Sequence, residues 1–232
     1  MKPAPQFDAL ANSYDEELNQ ALAATGEDKE YYANGRVRWL QNRLKELSQQ
    51  PHSILDYGCG IGDTSVLLQQ AFEAQSVLGL DESAGSIEVA RTRHQSSVCN
   101  FMTLAEHTVK DPVDLVYCNG VFHHIPVAMR DSALQYIFRC LRPGGWFAFW
   151  ENNPWNPGTR HVMAQCAFDA DAITITPQEA RELLTNAGFQ VVCIDFCFLF
   201  PRALRLLRFL EHSMARLPLG AQYEVLCRRP VI

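Results

Sequence analysis

Ile54-Leu55-Asp56-Tyr57-Gly58-Cys59-Gly60-Ile61-Gly62 decides how the rest of the chain is read. A short apolar run ends in an acid and an aromatic, and three glycines follow at alternate positions. Glycine leaves bare backbone for a ligand to lie against and takes the left-handed conformations of a tight turn. Residues 63–72 then have helical character. A strand, a glycine turn and a helix in this order place a ligand at the carboxyl edge of a parallel sheet, where strand order reverses. The spacing is G-x-G-x-G, whereas a dinucleotide turn needs G-x-G-x-x-G to rest a pyrophosphate on the helix N-terminus. Asp56, two residues before the first glycine, would stand badly beside a diphosphate and suits a ligand with a cationic ammonium or sulfonium. Asp81 ends the next apolar run, 19 residues past Gly62. A carboxylate there can accept hydrogen bonds from both hydroxyls of a ribose. Loop and acid together describe a nucleoside site.

Outward from this stretch, short apolar runs alternate with helical spacing. Strands are predicted at 53–57, 76–80, 98–104, 114–118 and 146–150, with helices at 63–72, 83–94 and 130–141 and a turn at 143–145. That alternation predicts a mainly parallel sheet covered by helices on both faces. Thr176-Pro177-Gln178-Glu179 has the spacing of a capping box with proline at the first helical position, and the helix it opens ends at Ala187-Gly188. Two further strands are predicted at 189–198 and 222–227, joined by a basic apolar helix over 202–217. Upstream, 6–24 and 34–49 show helical spacing; Val37, Leu40, Leu44 and Leu47 form a stripe, with Arg36, Arg43, Lys45 and Glu46 largely off it.

The chain has 232 residues, 47% hydrophobic and 20% charged, which suits one globular domain and excludes a disordered or collagen-like chain. A net charge of -6 argues against a nucleic-acid partner held by bulk electrostatics. The positive charge is concentrated late: residues 201–232 hold six arginines against two acids. No apolar run reaches the ~20 residues of a membrane span, and the first residues lack the apolar core of a signal peptide. Eight cysteines without a Cys-x-x-Cys pair read as buried thiols of a cytoplasmic protein. The scattered aspartates and histidines show no ligand spacing, so no metal is expected.

Four segments in order carry a resemblance: 55–62, Gly79-Leu80-Asp81-Glu82-Ser83, Asp114-Leu115-Val116-Tyr117-Cys118-Asn119-Gly120-Val121-Phe122-His123-His124-Ile125, and Leu141-Arg142-Pro143-Gly144-Gly145. They resemble the successive motifs of the class I, Rossmann-like S-adenosylmethionine-dependent methyltransferases, and among these the small-molecule type 11/12 group. The resemblance covers residues 50–150 and, by topology, the last two strands. It implies an α/β fold with a seven-stranded Rossmann-like sheet, mostly parallel with the last strand antiparallel, helices on both faces and an N-terminal helical lid. The domain plan is one methyltransferase domain over 1–232, with the lid at 1–50, the cofactor core at 51–152, and a substrate-side insertion with the C-terminal strands at 153–232. S-adenosyl-L-methionine is the implied cofactor and S-adenosyl-L-homocysteine its product. Asp56, Tyr57, Gly58, Cys59, Gly60 and Gly62 would hold the methionine moiety and Asp81 the ribose. Glu82 and Ser83 would flank the adenine, with Ala105 and Glu106 on its other side. Asn119 and Gly120 would line the pocket near the sulfonium.

Methyl transfer is an in-line displacement that aligns nucleophile, methyl and sulfur and often removes a proton. A base is expected just past the fourth or fifth strand, and His124 is the candidate. Asn152, Asn153 and Trp155, in a proline-rich loop after the fifth strand, are expected to wall the substrate, with Arg160 above it and Tyr14 or Tyr32 from the N-terminal helices. Tyr57 and Trp155 suggest aromatic walls. Asn152-Asn153-Pro154-Trp155 is faintly similar to a DNA amino-methyltransferase signature, but that belongs after the fourth strand. The Arg-rich apolar segment 202–217 reads either as a helix packed on the sheet with a solvated arginine rim or as a peripheral membrane contact that brings a lipid-like substrate. The expected function is O- or C-methylation of a small or amphiphilic organic acceptor. The alternatives are a non-catalytic cofactor-binding module and, against the glycine spacing, an NAD(P)-dependent oxidoreductase.

Overall fold

The computed structural model describes residues 14–166 and 169–231. Seven strands form one sheet: β1 (Ser53–Tyr57), β2 (Ser76–Asp81), β3 (Cys99–Thr103), β4 (Val113–Asn119), β5 (Leu141–Asn152), β6 (Gln190–Cys197) and β7 (Gln222–Arg228), in the order β3-β2-β1-β4-β5-β7-β6. β1 pairs in parallel with both β2 and β4, and this is where the strand order reverses. β7 is antiparallel to both of its neighbours, β5 and β6.

Alternation along the strands sends successive side chains to opposite faces. Ile54, Leu115 and Tyr117 pack on one face with α2 (Lys29–Glu46), α3 (Asp63–Phe72) and α4 (Ala84–His94), through Leu40 and Leu44, Leu68, and Ile87. Leu55, Val116 and Cys118 pack on the other with α5 (Val127–Cys140) and α7 (Pro177–Asn186), through Leu134, Ile137 and Leu184. The capping box at Thr176 and Glu179 forms as its spacing requires. A helix α1 (Tyr14–Leu22) precedes α2, whose N-cap is Asp28, and α6 (Pro157–Gln165) follows β5.

Asp114, near the start of β4, staples three strands at their amino ends. Its Oδ2 accepts from the backbone N–H groups of His52 and Ser53, each at 2.9 Å, and its Oδ1 accepts from Arg142 Nε at 2.6 Å. Burial would raise this carboxyl, but the Arg142 guanidinium and the N–H groups of His52 and Ser53 outweigh it and its pKa is lowered to about 2.

The structure departs from the sequence reading in four places. The glycine pair at 144–145 lies inside β5 at a register shift rather than ahead of the strand. Residues 157–165 are helical where only a loop was read, and proline at N1 after Asn156, whose side chain accepts from Thr159 N, explains why. Arg36 is buried, one turn from Leu40 on the packed side of α2. Finally, 202–217 is not one α-helix: Arg202–Leu210 is a 3-10 helix with a break at Leu204, followed by a short α8 (Glu211–Met214). Arg202–Leu210 buries none of its residues, and the segment reaches the sheet only past α8, where the carbonyl of buried Ala215 accepts from Phe196 N of β6 at 2.7 Å. With three residues per turn, Arg202, Arg205 and Arg208 share one ridge, and Leu206 and Phe209, 83% and 78% exposed, share another. No helix among the described residues is long and apolar enough to cross a membrane.

Candidate active site

The turn after β1 is built on its glycines. A Cβ at Gly58 would overlap Val121, so that glycine is required by packing against the β4 loop. Gly60 differs: its φ is +54° and a Cβ there meets nothing within 4 Å, which is the open space a ligand needs beside bare backbone. Asp81 ties this turn to the end of β2. Its Oδ2 accepts from Gly60 N and its Oδ1 from Ser83 N, both at 2.9 Å. Ser83 in turn caps α4, its Oγ accepting from Ser86 N at 3.0 Å. Asp56 lies beneath the loop, fully buried, and accepts from Ser65 Oγ at 2.7 Å. Burial pushes its pKa up to about 7; the Ser65 hydrogen bond opposes the shift and the Asp81 charge adds to it.

The opposite lip follows β4. Asn119 and Gly120 line the same cavity as Gly58, Cys59 and Gly60. Asn119 Oδ1 is buried with no hydrogen-bond partner among the described residues, an acceptor left over for a ligand's donor. Next come His123 and His124. His123 is buried, and its Nδ1 lies 2.5 Å from Oε2 of Glu151, at the end of β5. Oε1 of Glu151 also accepts from the N–H of Phe122, so this carboxylate fixes both turn and ring. Burial alone would keep His123 neutral, but Glu151 and then Asp169 outweigh it and its pKa is pushed up to about 10. His124, 22% exposed, faces the cavity beside Asp169.

The cavity is about 360 Å³. Its lining includes apolar Leu18, Leu22, Val162, Met163, Phe198 and Phe200 and polar His123, His124, Asp169, Asn119 and Asn152. Tyr31 and Tyr32 close it from α2, their rings 6.0 and 4.9 Å from that of Phe198. Burial pushes the Tyr31 phenol up to about 12, although Arg208, whose guanidinium stands 4.6 Å over that ring, works against the shift. Arg208 also pairs with Glu27 at 2.7 Å, so the 3-10 segment clasps the start of the N-terminal helices.

Of the residues singled out in the sequence, Gly58, Cys59, Gly60, Asn119, Gly120, Tyr32, His124 and Asn152 line this cavity. Asp81 reaches the glycine turn through Gly60 N, while Asp81, Glu82 and Ser83 are not themselves among the lining residues; Gly62 caps α3. Ala105 is exposed, and Glu106 pairs with Arg91 at 3.0 Å and accepts from Thr103 N at 2.8 Å. Three expectations need correction. The Tyr57 side chain turns into the core against Phe122 and Tyr136, so the aromatic wall comes from Tyr31, Tyr32 and Phe198 instead. Asn153 is buried and donates to the carbonyls of Pro218 and Gly220 at 3.3 and 2.8 Å, a loop tie rather than a pocket wall. Trp155, 52% exposed, and Arg160 are not among the lining residues. The side chain of Tyr14 lies outside the described residues.

Sequence reasoning missed Arg36 and Asp169. Arg36 reaches the cavity and, among the described residues, donates to neutral groups there, to Tyr117 Oη at 3.2 Å and to Gln222 Oε1 at 2.9 Å. Its place beside Leu40 and Ala33 on α2 was the available signal. Asp169 carried none, since only the fold brings it to the histidines.

Residues 54–145 match a family model described as a methyltransferase domain. The chain is 33% identical over 118 residues to a trans-aconitate 2-methyltransferase of Methylobacterium nodulans, covering 50% of this chain and 45% of that protein. It is 27% identical over 183 residues to a tRNA N(3)-methylcytidine methyltransferase of Drosophila melanogaster, covering 66% and 55%. The chain thus spans about half the length of these curated relatives. Among solved structures, the plantazolicin methyltransferase BamL in complex with a triazolic analogue and S-adenosylhomocysteine superposes with a TM-score of 0.62 at 14% identity, over 96% of this chain and 99% of that one. The reversal between β1 and β4, the open backbone at Gly60 and the stranded acceptor of Asn119 suit S-adenosylmethionine at this edge. Residues 54–145 therefore match a methyltransferase domain, and the fold around them is that of S-adenosylmethionine-dependent methyltransferases.

Proposed function

We propose that the protein transfers the methyl group of S-adenosylmethionine to an oxygen or carbon of a small, amphiphilic organic acceptor. The observation that carries this reading is the 360 Å³ cavity beside the glycine turn, lined by both apolar and polar side chains. Its size is that of a small-molecule site, and it gives an acceptor both a body to bury and a polar end to orient. The bound cofactor supplies an electrophilic methyl on a cationic sulfur. The chain's own part is positional. The Gly58–Gly60 backbone and Asn119 take the methionine end, and Asp81 takes the ribose, with Glu82 and Ser83 beside the adenine. Arg36, whose partners among the described residues are neutral, suits a ligand carboxylate. Tyr32 and Phe198 exclude water, and His124 and Asn152 meet the acceptor's reacting group. That arrangement favours in-line transfer by fixing the approach and drying the site.

A nucleic-acid acceptor is the second reading, supported by the tRNA-modifying relative. The net charge of -6 and an entrance roofed by α1 and α2 favour the small molecule. The exposed Leu206 and Phe209, in a segment that also carries Arg202, Arg205 and Arg208, support delivery of an amphiphile from a lipid surface. Eight free, buried cysteines support a reducing, cytoplasmic setting. The test is transfer from methyl-labelled S-adenosylmethionine into a fractionated cell extract. Label in the organic-soluble small-molecule fraction is expected. Label confined to RNA, or none in any fraction, would overturn the proposal.

A further inference from the structure

We propose that His123, His124 and Asp169 form a binding site for one divalent first-row transition-metal ion in the wall of the cavity. Three observations converge. First, one ligand atom from each of the three residues lies within 4.8 Å of the others, and all three residues line the cavity. Second, both histidines approach one carboxylate oxygen without closing to the length of a strong hydrogen bond. His123 Nε2 and His124 Nε2 stand 3.4 and 3.6 Å from Asp169 Oδ1, and that buried oxygen has no hydrogen-bond partner among the described residues. Charge-assisted hydrogen bonds close to about 2.7–2.9 Å. With metal–nitrogen and metal–oxygen bonds of about 2.0–2.2 Å, two ligands of a tetrahedral ion stand about 3.3–3.5 Å apart, close to the two histidine–aspartate distances.

The third observation is the support behind the ligands. His123 turns its Nδ1 to Glu151 at 2.5 Å, which leaves Nε2 directed at Asp169 and the cavity. A carboxylate holding the far nitrogen of a ligating imidazole is the recurrent outer shell of such sites. Two imidazoles and one carboxylate select zinc, iron, cobalt or nickel over magnesium or calcium. Three protein ligands facing a cavity leave positions open on the ion. Binding stands independently of the methyl-transfer reading. Its consequence rests on that reading: an acceptor oxygen occupies an open position, and His124 acts there as a ligand rather than as a free base.

The test uses the full chain, freed of metal by chelator dialysis and titrated with cobalt(II). One saturable equivalent per chain with a visible ligand-field spectrum is expected, displaced by zinc. His124→Ala and Asp169→Asn should each weaken it by tenfold or more, and zinc should raise the melting temperature of the unaltered protein. Absence of saturable cobalt binding, or binding undiminished in both variants, would sink the site. If a variant fails to fold, the zinc-dependent melting shift of the unaltered chain decides: no shift refutes the proposal. Cobalt binding without methyl transfer to any acceptor would remove the functional proposal and leave the metal site standing.

Discussion

Asp81 shows how much a single carboxylate does here, because it holds the glycine turn through Gly60 N and opens α4 through Ser83 N. Asp81→Ala is expected to weaken S-adenosylhomocysteine binding by about 1–3 kcal/mol, the range for hydrogen bonds to a charged group. Calorimetric titration checks it, and an unchanged affinity would remove Asp81 from the site. Gly60 tests the opposite quality, empty space. Gly60→Ala should fold, at a cost of about 1–2 kcal/mol for its left-handed backbone, and should lose cofactor affinity by tenfold or more. A variant that binds as before would show that no ligand lies there. Residues of this kind were legible in the sequence because their chemistry is local: a glycine spacing and an acid at a strand end. Tyr57 and Asn153 misled because alternation and loop closure, rather than residue type, set where they point.

Elements were read well where a periodic stripe or a cap fixed them, as at the Thr176 capping box, and poorly where tertiary contacts fixed them. The 3-10 segment Arg202–Leu210 is the clearest case. Its arginines at every third residue look scattered on an α-helix but stack into a single ridge at three residues per turn, where Arg208 finds Glu27 and Tyr31. Asp169 was invisible for a similar reason, since it meets His123 and His124 only after β5 and α6 have carried the chain back. At the element scale the Asp114 staple makes a pH prediction. Its pKa, lowered to about 2, means the stabilisation is present above the unfolded value of about 3.9 and is lost as pH falls through about 2. Asp114→Asn should therefore be less stable than the unaltered chain at pH 7, by about 1–3 kcal/mol, with the gap closing between pH 4 and 2. Urea unfolding at several pH values measures this; a gap that stays constant down to pH 2 would rule out the staple.

Across the whole molecule, charge and apolar surface are segregated. The net charge is -6, yet the last 32 residues carry six arginines against two acids, and Leu206 and Phe209 stand out from that basic end. Co-sedimentation with vesicles rich in anionic lipid is expected at low salt, to fall as salt screens the arginines, and to be lost in a Leu206→Glu, Phe209→Glu double variant. Equal recovery of the double variant would show that this ridge is not the contact. The sheet topology has one more consequence, for the order in which the chain is made. β7 sits between β5 and β6, so β6 leaves the ribosome before the strand it pairs with has been synthesised. The cavity draws its walls from Leu18–Arg36 at one end of the chain and from Ala221 and Gln222 at the other. A growing polypeptide can form the glycine turn early, but it cannot complete the cavity wall until Ala221 and Gln222 have been made.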